Sequence, residues 1–345
     1  MNMMAAVAVR GELGRQAEIA RALGSSFVAA VLEAGERQLG RAPQTAALIA
    51  AWPSDPSAAA LAMRFNGALH ALARRGLPPV LRALYRREHD DYDGAVGAAL
   101  AEADGFIAEW MRDPPQTNEV ARAAAIAAAL MAARRRFGQP FELIEIGSSC
   151  GLNLNLAHYR YDLGGVAAGA ADSPVRIAPE WRGPAPCAAP IDIAAARGVD
   201  LKPLDPADEA TRERLLSFVW ADQPERAKRL EAALALARHH PPRIDRADAL
   251  PWLRARLQAP QGDVCRVVFH SMVLQYLGEA DRQALVETIA RAGAVASDER
   301  PLAWIGFEWT PSRSEVQLRL TCWPGGETRI LATCHPYGAW IDWRG

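Results

Sequence analysis

The chain contains no Cys-x-x-Cys pair, no Gly-x-Gly-x-x-Gly fingerprint and no long apolar run. Its five cysteines are scattered along 345 residues, and an odd count without secretory features predicts reduced thiols and a cytoplasmic protein. The most apolar window, residues 123–133, is too short and too rich in alanine to span a bilayer. We therefore expect no transmembrane or targeting segment and no membrane partner.

An excess of charge of one sign is also missing. The 39 Lys and Arg residues and the 40 Asp and Glu residues give a net charge of -1 and are spread along the chain. Since no basic stripe stands out, we expect no nucleic-acid partner and favour a small-molecule substrate. The acidic cluster at residues 88–93 carries side chains that bind metals, but a charge run after a helix is typical of a solvated loop, and we predict no metal.

The first part of the chain has a helical pattern. Residues 12–137 are rich in Ala, Leu, Glu and Arg, with apolar residues three and four apart. Breaks near residues 40–43, 53–56, 76–79 and 113–115 divide this part into five or six helices. The last helix ends in three arginines followed by Gly138 and Pro140, so we place a domain boundary at residue 137.

After Pro140, apolar strands alternate with helices. Strands are predicted in residues 141–147, 197–204, 264–272 and 301–309, with an amphipathic helix at 279–294 and a long loop at 164–190. Two further strands meet at the turn 324–327 and form a hairpin. We therefore predict an α/β domain at 138–345, with a mostly parallel sheet that ends in an antiparallel hairpin, preceded by a helical domain at 1–137.

The stretch FELIEIGSSCGLNLNLAHYRYD, Phe141 to Asp162, has two interpretations. Gly147-Ser148-Ser149-Cys150-Gly151 matches the Gly-x-Ser-x-Gly nucleophile elbow, which would make Ser149 the nucleophile of a hydrolase with Asp298 and His335 as partners. Alternatively, a strand, a glycine turn and a helix begin the pocket of an adenosyl cofactor. An elbow normally follows several strands, whereas this strand is the first one predicted, so the cofactor interpretation is favoured.

Polar residues at three predicted strand ends support the cofactor interpretation. Glu145 is placed either to hold the amino group of a methionine moiety, which is favoured, or to cap backbone N–H groups of the turn. The two glycines of the turn let the backbone approach a ligand. Asn153 is placed either to contact the ligand or to cap the following helix. Asp200 is placed to accept the hydroxyls of a ribose, and Asp248 lies before a helix, near the expected position of the adenine.

These motifs resemble the Rossmann-like, class I S-adenosylmethionine-dependent methyltransferases over residues 138–345. Four segments carry the resemblance: Glu145-x-Gly147 with Gly151, then Gly198-Val199-Asp200, Asp248-Ala249, and Val267–Ser271 with Leu274–Leu277. The resemblance implies S-adenosylmethionine as the cofactor and the following set of contacts: Glu145, Gly147, Ser148, Gly151, Asn153, Asp200, Asp248 and His270. It also implies a Rossmann-like sheet with a terminal hairpin.

The full chain looks more specifically like an uncharacterised bacterial family, a domain of unknown function grouped with these methyltransferases. The segments RFNGALHALARRG (64–76), QTNEVARA (116–123), EIGSSCGLNLNLAHYRYD (145–162) and HPYGAW (335–340) carry this likeness. The sequence departs from the family's pattern at His158 and Tyr337. The likeness therefore assigns no catalytic role to those two positions.

His270, at the end of the strand RVVFH, is the predicted general base, because the carboxyl ends of such strands face the ligand crevice. A histidine that caps a loop is the alternative. Tyr276 lies in the fourth motif and is the second catalytic candidate. Residues placed around the substrate are His70, Asn118, Glu119, Arg122, Glu308 and His335, although polar contacts in the core would also explain the first four.

Methyl transfer from S-adenosylmethionine to a small molecule is the function that the sequence predicts. A binding or regulatory protein that keeps the fold without catalysis is the alternative from another class. A serine hydrolase that uses Ser149 and a nicotinamide-dependent oxidoreductase are less favoured, the second because of the terminal hairpin and the missing fingerprint.

Overall fold

Two compact units make up the chain in the computed structural model, which describes residues 3–53, 55–57 and 59–345. Unit 1 comprises the residues up to Thr117 together with Glu209–Lys228, and unit 2 comprises Asn118–Asp208 together with Arg229–Gly345. The boundary predicted at residue 137 therefore falls inside unit 2. The segment 209–228, which comes late in the chain, groups with the helices of unit 1.

Unit 1 is built from helices. They are α1 (Met3–Ala22), α2 (Ser26–Gln38), α3 (Pro43–Ala50), α4 (Leu61–Arg75), α5 (Pro79–Tyr85) and α6 (Tyr92–Arg112). The next helix, α7 (Ala123–Phe137), belongs to unit 2, whereas α8 (Glu209–Ser217) and the first turns of α9 (Pro224–His239) belong to unit 1. The described residues before 138 thus form seven α-helices rather than five or six, because two breaks were not predicted. Gly24, with a φ of 87°, lies between α1 and α2, and Arg87, with a φ of 63°, lies between α5 and α6.

Side-chain caps fix the helices of unit 1 at their N-termini. The hydroxyl of Ser25 accepts a hydrogen bond from Val28 N at 3.2 Å at the start of α2 and donates to Asp222 at 2.8 Å. Asp104 accepts the amides of Gln44 and Thr45, both at 2.8 Å, at the start of α3. The bond to Asp222 shows how the segment 209–228 is tied to the first helices.

Unit 2 contains the strands. In chain order they are β1 (Phe141–Ile146), β2 (Arg160–Leu163), β3 (Val166–Gly169), β4 (Arg176–Ile177), β5 (Glu180–Arg182), β6 (Ile193–Asp200), β7 (Ile244–Arg246), β8 (Cys265–Ser271), β9 (Leu302–Trp309), β10 (Val316–Trp323), β11 (Glu327–Cys334) and β12 (Trp340–Trp343). The later helices are α10 (Ala249–Gln258) and α11 (Glu279–Ala294). These elements confirm the predicted α/β class.

A nine-stranded sheet runs in the order β5-β12-β11-β10-β9-β8-β1-β6-β7. The strands from β9 to β7 are parallel, and β9 to β12 are successively antiparallel, which confirms the predicted terminal hairpin between β10 and β11. The chain places β6 and β7 on one side of β1 and then returns to place β8 and β9 on the other side. The strand order therefore reverses between β1 and β8, and such a switch point leaves a crevice at the carboxyl ends of the strands.

Burial explains why the central strands were predictable. Five of the six residues of β1 and six of the seven residues of β8 are buried, as expected for parallel strands covered on both faces. Ile144, Ile146 and Val268 form one core cluster with Leu253 of α10 and Leu285 of α11. This cluster fixes the two strands that border the switch point.

The segment 164–190, predicted to be a long loop, contains three short strands. β3 pairs with β2 through a turn at Gly164 and Gly165, which have φ values of 66° and 91°, and β4 pairs with the other side of β2. β5 joins the edge of the large sheet next to β12. No helix in the described part of the chain has the length and apolar character needed to cross a membrane.

Candidate functional site

The turn after β1 is held against β6 by its backbone. The amides of Gly147 and Ser148 both donate to the carbonyl of Val199, at 2.9 and 3.0 Å. Gly147 has a φ of 69°, and a Cβ at this position would lie 2.6 Å from Val273 Cγ2. Glycine is therefore needed both for the left-handed backbone and for the close approach of the segment that follows β8.

Three buried polar atoms around this turn have no hydrogen-bond partner among the described residues. They are Glu145 Oε2, Ser149 Oγ and Asn153 Oδ1. Glu145 and Asn153 are 2% and 3% exposed, and the Asn153 side chain lies within hydrogen-bonding reach of the Glu145 carboxyl group. Because unpaired buried polar groups are costly and rare, the cluster is a candidate position for a ligand with hydrogen-bond donors.

Burial raises the pKa of Glu145 well above its usual value, and the nearby Asp200 carboxylate acts in the same direction. Hydrogen bonds from Ser148 and Asn153 lower this pKa but do not offset the burial. The free protein thus holds a carboxyl group that resists ionisation. A cationic partner would favour its ionised form.

The raised pKa makes stability depend on pH in a defined direction. The folded state binds the Glu145 proton more tightly than the unfolded chain, in which the pKa is near 4.5. This stabilisation is present below that pH and is lost as the pH rises through the folded-state pKa. We therefore expect the melting temperature of Glu145→Gln, relative to the unsubstituted protein, to rise between about pH 5 and pH 8. Thermal unfolding at both pH values measures this difference, and an unchanged difference would contradict the shift.

Asp200 and Asp248 both have roles in the backbone structure. Asp200 accepts the amides of Ser149 at 2.8 Å through Oδ2 and of Lys202 at 2.9 Å through Oδ1, and it is only partly buried. Each oxygen keeps lone-pair capacity for a further donor. Asp248 is exposed and caps α10 by accepting Leu250 N at 2.9 Å. Asp200 is thus joined to the turn, whereas the contacts of Asp248 are those of a helix cap.

Asn118 and Glu119, placed around the substrate from sequence, lie in unit 2 beside the same turn. Asn118 Oδ1 accepts Leu152 N at 3.0 Å, at the start of the 3₁₀ helix Leu152–His158. Glu119 Oε1 accepts Ala121 N at 3.2 Å and lies 3.9 Å from Arg229 Nη1. Both side chains therefore order the backbone next to the cluster of unpaired atoms.

Arg122 joins the start of α7 to the ends of β8 and β11. Its Nε donates to the carbonyl of Pro336 at 2.8 Å, and its Nη1 donates to Ser271 Oγ at 3.3 Å. A Cβ at Gly338 would lie 2.8 Å from the carbonyl carbon of Ala121, so the segments that carry QTNEVARA and HPYGAW touch each other. Burial lowers the pKa of Arg122, with the nearby Glu119 and Glu308 acting against this.

His335 shapes the HPYGAW turn. Its Nδ1 accepts the amide of Tyr337 at 3.1 Å, and its own amide donates to the carbonyl of Trp340 at 2.9 Å. The ring also lies near the rings of both residues. These contacts give His335 a structural role beside Arg122.

His270 differs from the general base predicted from sequence. It is 1% exposed, its Nδ1 lies 2.7 Å from Glu308 Oε1, and its Nε2 accepts a hydrogen bond from Trp304 Nε1 at 3.0 Å. Because indole is only a donor, the proton must be on Nδ1, which donates to Glu308. Neither nitrogen is left to take a proton from a substrate. Tyr276, the second catalytic candidate, is 54% exposed in the 3₁₀ helix Leu274–Tyr276.

Ser149 has one feature of a nucleophile elbow, a φ of 54°. Its Oγ, however, has no hydrogen-bond partner among the described residues, so no histidine is placed to activate it. Asp298 lies between α11 and β9, and its carbonyl accepts a bond from Gln139 just before β1. This position is at the amino ends of the strands, so Asp298 cannot complete a triad with Ser149.

His70 lies on α4 in unit 1, where its contacts are internal. Its Nδ1 is 3.1 Å from the carbonyl of Ser217, and its ring stacks on Tyr85 with a centroid distance of 5.3 Å. Burial lowers the pKa of His70 to about 4, and the charge of Arg74 acts in the same direction. The ring is therefore neutral at physiological pH, as expected for a histidine within a helical core.

Backbone strain is concentrated at the same edge of unit 2. Asn118, Ser149 and Met272 all have positive φ, at 37°, 54° and 61°. Ser149 belongs to the cluster of unpaired atoms, Asn118 binds the amide of Leu152 beside it, and Met272 follows β8 directly. Strained residues of this kind persist where the surrounding structure fixes them, and they are common at binding sites.

Two groups of side chains thus lie at the carboxyl ends of the central strands. The first is the β1 turn with Glu145, Asn153 and Asp200, and the second is the group of His270, Glu308 and Trp304 at the ends of β8 and β9. Sequence reasoning did not single out Trp304, although Trp304 and Glu308 are four residues apart on one strand and so point to the same face. That spacing is the signal that would have linked them to His270.

A family model described as "Uncharacterized protein conserved in bacteria", DUF2332, matches residues 10–343. This match covers both units, including all of the segments that meet around the β1 turn. No curated protein and no solved structure matches the chain. The chain belongs to the bacterial family DUF2332.

Proposed function

We propose that this protein binds S-adenosylmethionine at the switch point of the sheet in unit 2 and transfers its methyl group to a small molecule. The observation that carries the proposal is the pair of buried acceptors without donors, Glu145 Oε2 and Asn153 Oδ1. An ammonium group supplies N–H donors to both atoms and compensates the buried charge. The α-amino group of the methionine moiety has this chemistry.

The position of the pair supports the same ligand. Glu145 lies in β1, next to the point where the strand order reverses, and ligands of open α/β sheets bind at this crevice. The glycine turn lets the backbone approach a ligand closely. Asp200, at the end of the neighbouring β6, has lone pairs left for the two hydroxyl groups of a ribose.

S-adenosylmethionine supplies an electrophilic methyl group, which leaves sulfur without its bonding electrons, so no redox partner is needed. The residues of this chain have three tasks in such a transfer. They fix the ligand at its two polar ends, exclude water from the crevice and hold the acceptor in line with the methyl group. A base is needed only where the acceptor loses a proton.

Calorimetric titration with S-adenosylmethionine and S-adenosylhomocysteine tests the proposal. We expect saturable binding of both ligands at one site per chain. Asp200→Asn should weaken both by roughly tenfold or more, because hydrogen bonds to a charged group are lost. Asp263→Asn, on the exposed loop before β8, is the matched control and should bind like the unsubstituted protein.

Absence of binding to either ligand by folded protein would overturn the proposal. A second candidate function is adenosyl-ligand binding without catalysis, and the hydrogen bonds on both nitrogens of His270 favour it. It predicts the same titrations but no release of S-adenosylhomocysteine when the protein is incubated with S-adenosylmethionine and a mixture of small-molecule acceptors.

A further inference from the structure

Glu308, at the end of β9, is held by one of its two carboxylate oxygens. Its Oε1 accepts three donors: His270 Nδ1 at 2.7 Å, Val273 N at 2.8 Å and Leu274 N at 3.4 Å. The side chain is 12% exposed. Three donors on one oxygen fix the orientation of the whole carboxylate.

The other oxygen, Oε2, receives no hydrogen bond from the described residues. Unlike Glu145 Oε2, which is fully buried, Glu308 Oε2 remains partly accessible to solvent. Arg122 is close enough to interact electrostatically with this carboxylate, yet the two side chains form no ion pair within the described structure. Oε2 is therefore an acceptor with fixed geometry that no group of the described residues uses.

His270 is the residue that keeps Glu308 in this orientation. The hydrogen bond from Trp304 Nε1 fixes the neutral tautomer of His270, and this tautomer can only donate to Glu308. The three side chains form a chain of directed hydrogen bonds that ends at a carboxylate. A histidine held between an indole and a carboxylate orients the carboxylate and is not itself a proton acceptor.

Glu308 lies next to the proposed ligand crevice. The amide of Val273 donates to Glu308, and the side chain of Val273 packs against Gly147 in the β1 turn. Only one residue therefore separates Glu308 from that turn. β1, β8 and β9 lie side by side in the sheet, which places the end of β9 roughly 10 Å from the end of β1. The strand registers align Glu145 with Phe269 and Ile305, whereas Glu308 shares the face of Gly306 and His270, so the two carboxylates leave opposite faces of the sheet. A ligand anchored by Glu145 would therefore meet Glu308 by crossing the carboxyl ends of β1 and β8.

We infer that Glu308 is the carboxylate that receives the reacting N–H or O–H group of the methyl acceptor, and that His270 is its positioning residue. This inference rests on the proposed function and makes the acceptor a protic nucleophile, an amine or a hydroxyl compound. The acceptor atom forms its bond to the methyl carbon while the carbon–sulfur bond breaks and leaves its electron pair on sulfur. The proton that the acceptor loses passes to Glu308 Oε2 and then to water.

Sinefungin tests this placement without an assay of turnover. In this analogue an amine on carbon replaces the methyl group on sulfur, so its N–H groups occupy the position from which the methyl group leaves. We expect calorimetry to show that sinefungin binds about tenfold more tightly than S-adenosylhomocysteine, which lacks that group. Glu308→Gln should remove this preference and leave the affinity for S-adenosylhomocysteine within about twofold.

Two substitutions of His270 separate positioning from general structural support. His270→Asn keeps an N–H donor for Glu308 and should retain the preference for sinefungin, whereas His270→Phe should lose it. Glu327→Gln, exposed on β11, is the control for the loss of one negative charge. Thermal unfolding establishes that each variant is folded.

The outcomes distinguish the inference from the proposed function. If neither ligand binds, both are overturned. If both ligands bind equally well to the unsubstituted protein, or if Glu308→Gln keeps the preference, only the role of Glu308 is overturned. Equal loss of the preference in His270→Asn and His270→Phe would show that the donor is irrelevant, and it would overturn the positioning role.

Discussion

Replacing Glu145 with Gln is expected to weaken the binding of S-adenosylhomocysteine by about 100-fold or more, because breaking a buried ion pair costs about 3–5 kcal/mol. Gln has nearly the same shape, so the turn after β1 should keep its geometry. The substitution removes the charge that would pair with the ammonium group of the ligand. Calorimetric titration measures the change directly.

The same variant should fold at least as stably as the unsubstituted protein at neutral pH. A carboxyl group that is 2% exposed, with one oxygen that has no partner among the described residues, costs stability in the free protein. Glu180→Gln, on the exposed edge strand β5, is the matched control and should change neither property. A lowered melting temperature together with unchanged affinity would show instead that Glu145 serves only to hold the turn.

Much of the architecture of unit 2 follows from local pattern. β1, β8 and β9 are apolar runs bounded by glycine, proline or charge, and α11 has a helical period that needs no tertiary information. The hairpin between β10 and β11 is encoded in its turn, Pro324 to Glu327. Strands of two to four residues, such as β4 and β7, have no period to detect, because their pairing is decided by neighbours far along the chain.

The grouping of the helices depends on tertiary contacts that local pattern does not contain. α7 looks like its helical predecessors in composition, but it packs against β9 and β10. The segment 209–228 has the composition of a crossover helix, yet Asp222 bonds to Ser25, 197 residues earlier. Periodicity identifies that a helix forms but does not identify which core it covers.

The site shows the same division. Glycines at 147 and 151 and the acid at 145 were identified because a tight turn after a buried strand restricts which residues fit there. Local sequence does not predict which ring nitrogen of His270 donates and which accepts. That assignment depends on two partners, Trp304 and Glu308, in another strand. A histidine at a strand end suggests a base, and only its hydrogen bonds show which group it serves.

Arg266→Met is expected to lower the free energy of unfolding by about 3–5 kcal/mol, the cost of breaking a buried ion pair. Arg266 is 3% exposed, and its Nε donates to Glu142 Oε2 at 2.8 Å. Its remaining N–H groups donate to backbone carbonyls at and just beyond the end of α10, those of Leu257, Ala259 and Pro260. The substitution would leave Glu142 with Arg256 alone and leave those carbonyls without a donor.

Arg266→Met should change the stability of the fold without changing ligand affinity at the proposed site. Arg266 lies near the amino end of β8, whereas the crevice lies at the carboxyl ends, so the folded variant should bind S-adenosylhomocysteine with unchanged affinity. Arg344→Met, which removes an exposed pair with Asp342 at 3.5 Å in the same unit, should cost less than about 1 kcal/mol. Urea unfolding of the two variants measures the difference. A buried charge with four hydrogen-bonded partners should cost more to remove than an exposed one. Equal, small losses in the two variants would therefore show that the Arg266 pair does not hold α10 to the sheet.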